Sequence, residues 1–247
     1  MNKLIQALLD LLYPPRCLFC QGAPGGSPGM VLDPLRLDLN GSGAERFLCE
    51  ACAGSVPWLV LCCPLCAYPL QQGEDCTWCK GEQFAFDFCC ALGHYSSSLR
   101  QGVHRLKYRG EKALAGPFSE LLSARLSSVP WIDQLDRVVP VPLCSHRLRE
   151  RGYNQSLLLA AALSKKLSLP LENGLQRVRR TQSQTLLNKK QRKENLEGAF
   201  VCPQPLPEGC HVLLVDDVMT TGATAHQAAA ALKEAGTGRV SVAVLAR

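Results

Sequence analysis

The chain has 247 residues and a mass of 26.9 kDa, with 47% hydrophobic and 19% charged residues. A chain of this length and composition forms one or two domains with a real core, which excludes global disorder and fibrous architecture; aromatics at 6% argue against a protein that works by stacking many bases on rings. The net charge of +6 is uneven, −4 over residues 1–90 and +10 over residues 91–247, so the second half either attracts phosphate-bearing partners or presents a solvated basic surface.

Residues 1–13 read as a short amphipathic helix, with Leu4, Ile5, Leu8, Leu9 and Leu12 at helical spacing. Gln6 and Asp10 interrupt the apolar stretch, and Pro14-Pro15 follows in place of a small-residue cleavage site, so no secretory signal is expected. No run approaches the roughly 18 apolar residues of a membrane span. The expected compartment is therefore the reducing cytoplasm, where cysteines bind metal rather than form disulfides.

Eleven of the 14 cysteines fall in residues 1–90. Eight of them form four Cys-x-x-Cys knuckles: Cys17/Cys20, Cys49/Cys52, Cys63/Cys66 and Cys76/Cys79. One such pair is weak evidence, but four within 63 residues supply eight thiolates, enough for two closed tetrahedral zinc sites of structural type. Pairing in sequence order is preferred, and an interleaved pairing is open. Cys63 is favoured over Cys62 because only Cys63 has the two-residue spacing to Cys66. Cys89, Cys90, Cys144, Cys202 and Cys210 read as buried small hydrophobes. The Gly/Pro-rich segment 21–43 reads as a loop insertion. The composition shift after residue 85 divides the chain into a Cys-rich unit, 1–85, and a basic unit, 86–247.

The second unit alternates strand and helix. Strands are expected at 86–95, 137–141, 211–216 and 240–245, and helices at 99–109, 113–126, 155–167 and 224–235. Residues 181–196 are expected to form a mobile loop plus a helix. Strands separated by helices imply an α/β fold, a parallel sheet with helices on both faces.

The most specific segment is Val212-Leu213-Leu214-Val215-Asp216-Asp217-Val218-Met219-Thr220-Thr221-Gly222-Ala223-Thr224. A buried strand ends in two acids, and a hydroxyl-rich turn then opens a helix. Helix N-termini offer free N–H groups and a favourable dipole to a phosphate, Gly222 lets the backbone approach, and the threonines add hydroxyl donors. An N-capped helix alone would account for one threonine, not for the acid pair with Thr-Thr-Gly-x-Thr.

This stretch resembles the phosphoribosyl pyrophosphate motif of type I phosphoribosyltransferases. The resemblance implies that Thr220, Thr221, Gly222, Ala223 and Thr224 hold the 5′-phosphate, and that Asp216 and Asp217 bind the ribose hydroxyls and stabilise the positive charge that develops on the sugar. Mg²⁺ would neutralise the leaving pyrophosphate. Thr220 stands where the 6-oxopurine salvage enzymes carry an Asp base, so the chain departs from that branch and its acceptor is unassigned.

Further matching residues are Val139-Pro140-Val141-Pro142-Leu143, then Arg147 and Arg151-Gly152-Tyr153-Asn154-Gln155, with Arg180, Thr181, Gln184, Arg192, Asn195 and Phe200 downstream and His104, Lys107 and Tyr108 upstream. With the amino-terminal knuckles, this pattern resembles the ComF family, which includes the GntX-type proteins and is linked to natural competence and use of external DNA. Segment 21–43 departs from that family's compact knuckle spacing.

The resemblance implies a pyrophosphate loop from Pro140 to Leu143, with Val141 and Pro142 at the ligand and Arg147 and Arg151 as its cations, and a polar lid carrying Gln184, Arg192 and Asn195. For the two arginines, ion pairing with Glu150 and other acids is the competing structural role. For His104 and Lys107, an exposed helix face competes with a ligand role. Two functions are carried forward: a phosphoribosyltransferase with an unknown acceptor, and a single-stranded DNA-binding module that grips phosphates with Arg and Lys. The acid pair favours the first, because carboxylates repel a DNA backbone; the basic half and the zinc knuckles favour the second. A third reading is a scaffold for a DNA-uptake helicase.

Overall fold

The computed structural model describes residues 16–22, 47–56, 58–59, 61–179 and 196–247. The amphipathic segment 1–13, most of segment 21–43, and Arg180, Thr181, Gln184, Arg192 and Asn195 lie outside the described residues. In chain order come α1 (Glu50–Ser55), β1 (Phe88–Gly93), α2 (Ser97–Tyr108), α3 (Ala115–Leu126), β2 (Arg137–Pro140), α4 (Ser145–Arg151), α5 (Gln155–Leu167), the short strands β3 (Gln176–Arg177) and β4 (Phe200–Val201), β5 (His211–Val218), α6 (Ala223–Glu234) and β6 (Arg239–Ala246).

Strands β1, β6, β5 and β2 form one sheet in that order, and every pairing is parallel. Strand β5 lies at the centre, with Leu214 opposite Val139 on one side and Val242 on the other. Its apolar run reads Val-Leu-Leu-Val because both faces are covered. On one face Leu213, Val215, Val138 and Leu245 pack with Leu106 of α2, Leu122 of α3 and Leu159 of α5. On the other, Val212, Leu214, Val242 and Val244 pack with Ala228, Ala229 and Leu232 of α6. The alternation follows the period of two along a strand. Alanine on α6 brings that helix close to the sheet.

The cysteine-rich segment packs onto this core. Leu18 and Phe19 are buried in the cluster that holds α2 and α3. Gly102, in the middle of α2, would cost about 1 kcal/mol relative to Ala on helix propensity. A Cβ there would stand 2.7 Å from Phe118 Cζ and 3.2 Å from Phe19, so close approach explains the glycine. Arg105 Nη1 donates to the Leu18 carbonyl at 2.9 Å while its guanidinium pairs with Glu111. Trp58 bridges Gly93, and Cys89 N–H donates to Pro64 O at 2.9 Å, so Trp58 and the Cys63–Cys66 knuckle lie against the outer edge of β1.

The four expected strands and the helices expected at 99–109, 113–126, 155–167 and 224–235 are present, β1 being shorter at both ends than 86–95, while the loop and helix expected at 181–196 lie, up to residue 195, outside the described residues. There are three further differences. Strand β5 runs two residues further, to Val218, because Met219 N–H still finds the Ala246 carbonyl at 3.0 Å. Helix α4, which carries Arg147 and Arg151, ends on Gly152 in the left-handed region at φ 74°. The β3–β4 ladder is two residues long, too short to leave a periodic signal.

Candidate functional site

All four strands of the sheet end on the same side, and residues at or after the ends of β1, β2 and β5 line a cavity of about 270 Å³ there. This is where open parallel sheets bind ligands. Strand β2 delivers Val141, Pro142, Leu143 and Cys144, and α4 and α5 add Arg147, Arg151 and Gln155. Strand β5 delivers Asp216, Asp217 and Val218, followed by Thr220 and Thr224. Helix α2 contributes Lys107 and Tyr108, and Tyr95 follows β1. A second, smaller hollow next to it is lined by Thr220, Thr221, Gly222, Ala223 and Thr224.

The acid pair is held tightly. Asp216 Oδ1 accepts from Ser156 Oγ and from the Asp217 amide, each at 2.8 Å. Lys107 Nζ stands 2.8 Å from Asp217 Oδ1, with side chains 16% and 5% exposed. Burial, and then the neighbouring Asp217, push the Asp216 carboxyl up to about 7. Burial alone would lower the Lys107 ammonium, but Asp217 beside it prevails and raises it. Asp217 Oδ2 is buried without a donor among the described residues. An orphaned, buried carboxylate oxygen fits a site built for a hydroxyl group or a cation.

The turn after β5 starts helix α6, whose N-cap Gly222 has φ 81° and ψ −2°. Only glycine adopts this conformation without strain. A Cβ on Gly222 would also lie 3.0 Å from Phe84 Cε1. Phe84 stacks on Phe86 at 4.6 Å and stands edge-on to His226, whose Nδ1 accepts from the Ala85 amide at 3.0 Å. The wall behind the turn is therefore built from the segment just before β1.

On the opposite side, the Val141 amide already donates to Val215 O at 2.9 Å and Pro142 has none, so amide donors in this loop begin at Leu143. Arg147 is half-buried and forms no ion pair among the described residues. Arg151 donates to Gln155 Oε1 at 2.9 Å and lies 4.6 Å over the Tyr108 ring. Arg177 completes the group, and burial depresses its pKa. Three arginines face the two acids and their partner Lys107 across one cavity, a layout that accepts a polyanion at one end and a neutral diol at the other. Of the pair left open on α2, Lys107 enters the cavity; His104 is exposed and tilts against Tyr108 at 4.7 Å.

Residues 153–247 match the family model described as "Phosphoribosyl transferase domain". The chain is 34% identical over 207 residues to DNA utilization protein YhgH of Salmonella typhimurium, covering 81% of this chain and 90% of that one. It is 32% identical over 212 residues to competence protein F of Haemophilus influenzae, covering 83% and 92%. It is 31% identical over 180 residues to competence protein ComFC of Bacillus subtilis, covering 70% and 72%. The chain belongs to the ComF family. Among solved structures, glutamine phosphoribosylpyrophosphate amidotransferase from B. subtilis in complex with ADP and GMP is similar with a TM-score of 0.40 and 19% identity, over 57% of this chain and 30% of that chain.

The other feature of this ComF-family chain is its cysteines. Cys17, Cys20, Cys49 and Cys52 converge in one cluster, and Cys63, Cys66, Cys76 and Cys79 in another, with the four Sγ atoms of each within 4.8 Å of one another. The grouping follows sequence order. No disulfide is present among the described residues. The Cys20–Cys49, Cys63–Cys79 and Cys66–Cys76 sulfurs lie 3.6 Å apart. Thiolates about 2.3 Å from a tetrahedral zinc stand about 3.8 Å apart, so both clusters have the donors and the spacing for a metal ion. Cys62 lies outside the cluster, 3.7 Å from Arg125 Nη2. Cys89, Cys90 and Cys210 are buried and Cys202 half-buried. Cys144 departs from the expected core role: it is half-buried, caps α4 and lines the cavity, because α4 starts at the cavity wall.

Sequence reading missed Ser156, Arg177, Phe84 and Arg247. Ser156 and Arg177 belong to no local motif, and Phe84 and Arg247 reach the turn from distant parts of the chain.

Proposed function

We propose that this protein binds phosphoribosyl pyrophosphate with Mg²⁺ in the 270 Å³ cavity and transfers the phosphoribosyl group to an acceptor in the use of external DNA. The observation that carries the reading is the convergence of the acid pair and the arginines of α4 in one cavity with the threonine–glycine turn, which joins that cavity at Thr220 and Thr224 and forms the smaller hollow beside it. The names of the relatives, DNA utilization and competence proteins, supply the biological setting.

On this reading the turn at 220–224 takes the 5′-phosphate, using the first amides of α6 and the threonine hydroxyls. Asp216 and Asp217 accept hydrogen bonds from the ribose hydroxyls, and Asp217 Oδ2 finds its missing donor. Arg147 and Arg151 face the pyrophosphate, whose planar oxygen pairs suit the guanidinium fork. The C1–O bond breaks with its electron pair leaving on pyrophosphate, the acceptor lone pair forms the new bond to C1, and the acceptor proton passes to solvent. Asp216 and Asp217 stabilise the positive charge on the sugar as this happens. When bound, Mg²⁺ neutralises charge on the leaving pyrophosphate. Lys107 keeps one positive charge against the acid pair.

The two four-cysteine clusters are read as structural zinc sites, because all four positions are filled by thiolates and none is left open. The second reading, a single-stranded DNA module without turnover, is favoured by one observation, the four cations that line the cavity. Calorimetric titration of zinc-loaded protein decides between the two. Heat with phosphoribosyl pyrophosphate and Mg²⁺, lost in Asp216→Asn with Asp217→Asn, supports the transferase reading. Heat with single-stranded DNA alone supports the other.

A further inference from the structure

We propose that Arg247 is a positioning residue for the phosphate-binding turn, and that through it the affinity of the turn for a sugar phosphate depends on metal in the second cysteine cluster. The inference rests on the phosphate reading of residues 220–224 given above.

Arg247 follows β6, and its backbone is fixed against the end of β1: its N–H donates to Gly93 O and its carbonyl accepts from Tyr95 N–H, each at 3.0 Å. Its side chain then joins the turn to the second cysteine cluster by direct hydrogen bonds, beside the packing that Phe84 makes with both. Nη1 donates to the Thr220 carbonyl, inside the turn. Nε donates at 2.8 Å to the carbonyl of Cys66, a member of the second cluster. The guanidinium carbon lies 5.1 Å from the centre of the Trp78 ring and 5.7 Å from that of Tyr68. Those two rings are parallel within 2° and 5.3 Å apart. Trp78 sits between the cluster cysteines Cys76 and Cys79, and Tyr68 accepts the Cys63 amide on its carbonyl at 2.8 Å. Every contact on the far side of Arg247 thus comes from the knuckles themselves.

The contact with Thr220 sets the direction of a donor. A trans peptide holds its C=O and N–H antiparallel. With the Thr220 carbonyl turned to Arg247, the Thr221 amide must point the other way. Arg247 lines neither hollow, whereas Thr220 lines both. The amide is therefore turned away from the knuckles, toward the side on which an anion would lie. Metal loss would free the Cys63–Cys66 knuckle, whose tight turn includes Ala67 at φ 53°, and with it the Cys66 carbonyl and the rings that hold the guanidinium in place.

The test uses the full-length, zinc-loaded chain and two probes, ribose 5-phosphate for the turn and inorganic pyrophosphate for the arginine side of the cavity. Arg247→Lys keeps the charge but loses the fork that reaches both carbonyls. The expected result is about a tenfold loss of ribose 5-phosphate affinity, the size of one hydrogen bond to a charged group, with pyrophosphate affinity unchanged. Cys76→Ser should give a similar loss in the wild-type background and no further loss in the Arg247→Lys background, because both changes break the same link. Equal binding of ribose 5-phosphate by wild type and Arg247→Lys overturns the inference, as does a parallel loss of both probes, and so do fully additive effects of the two substitutions. Should Cys76→Ser fail to fold, the comparison of the two probes in Arg247→Lys stands alone. Wild-type protein that binds neither ribose 5-phosphate nor phosphoribosyl pyrophosphate instead overturns the phosphate reading on which the inference rests.

Discussion

Lys107 Nζ and Asp217 Oδ1 stand 2.8 Å apart at the floor of the cavity, joining the end of α2 to the end of β5. The pair is nearly closed to solvent, and its other carboxylate oxygen has no donor among the described residues. Lys107 offsets one of the two charges that Asp216 and Asp217 carry when both are ionised. On the proposed reading, a bound ribose diol would add hydrogen bonds without having to displace the ion pair.

Removing Lys107 leaves Asp217 buried without its counter-charge. Lys107→Met should therefore destabilise the fold by about 3 kcal/mol, the usual cost of breaking one side of a buried pair. It should also shift the onset of ligand binding to higher pH, because Lys107 favours the ionised form of Asp216. Urea unfolding and ligand titration over pH check both effects. Unchanged stability would mean that the pair is screened as a surface bridge is.

The raised pKa of Asp216 has a definite sign. The folded chain holds that proton more tightly than the unfolded chain does, so ionising the group weakens the fold between about pH 4 and about pH 7. Without ligand, wild type should lose stability relative to Asp216→Asn across that window, and the difference should be constant below and above it. Ligand affinity should run the opposite way and rise through about pH 7, because the sugar site needs the carboxylate ionised. A wild-type-to-variant difference that is flat in pH would refute the shift.

Much of this site could be read from sequence because its chemistry is local. Asp216, Asp217 and Thr220 to Thr224 are contiguous, and each cysteine pair is held in one short turn, so spacing alone carries their geometry. Arg147 and Arg151 share a helical face for the same reason. The pieces that escaped reading are those that touch the site across the fold. Phe84 and Gly222 are 138 positions apart, and the contacts of Arg247 with Cys66 and Thr220 join three distant segments. No periodicity encodes such contacts; they follow from the strand order β1-β6-β5-β2, which brings the end of β6 between the knuckles and the turn. Cys144 was misread for a related reason, since its exposure depends on where α4 begins.

Metal content should follow the two clusters. Reduced protein should carry two zinc ions, and Cys63→Ser should lower the melting temperature well beyond Cys62→Ser. Cys63 is buried within its cluster, whereas Cys62 lies outside it beside Arg125. Metal analysis combined with thermal melts of both variants checks this. Equal melting temperatures would show that the second cluster does not hold its ion through Cys63.

Affinity for single-stranded DNA, where it exists, should fall steeply with salt, since each neutralised phosphate releases counterions. The double change Arg147→Ala with Arg151→Ala should flatten that dependence by up to about two phosphate contacts. Fluorescence anisotropy over a salt series measures the slope. An unchanged slope would place any DNA contact outside the cavity.

The turn itself gives the sharpest test. Gly222→Val introduces a β-branched side chain at φ 81°, where only glycine is unstrained, and its Cβ would meet Phe84 at 3.0 Å. Phe84 is held between Phe86 and His226, so the ring has little room to retreat. The backbone must shift instead, and it carries the amides of Thr221, Ala223 and Thr224 with it. Phosphoribosyl pyrophosphate binding should fall at least about tenfold, and the ligand-induced rise in melting temperature should be lost. Adding Phe84→Ala should relieve the collision but not the φ strain, so it should recover part of the folding stability and little of the affinity. Asp216→Asn with Asp217→Asn should contrast with this: it leaves Lys107 without its counter-charge and costs folding stability, but in the folded protein the 5′-phosphate still docks and the sugar contribution is lost. Nucleotide 5′-monophosphates should compete with phosphoribosyl pyrophosphate in wild type, since they present the same phosphate and diol. Calorimetry of wild type and the three variants measures all of these effects. If Gly222→Val binds as tightly as wild type, the phosphate does not sit on the α6 N-terminus, and the site must be sought among the arginines of α4.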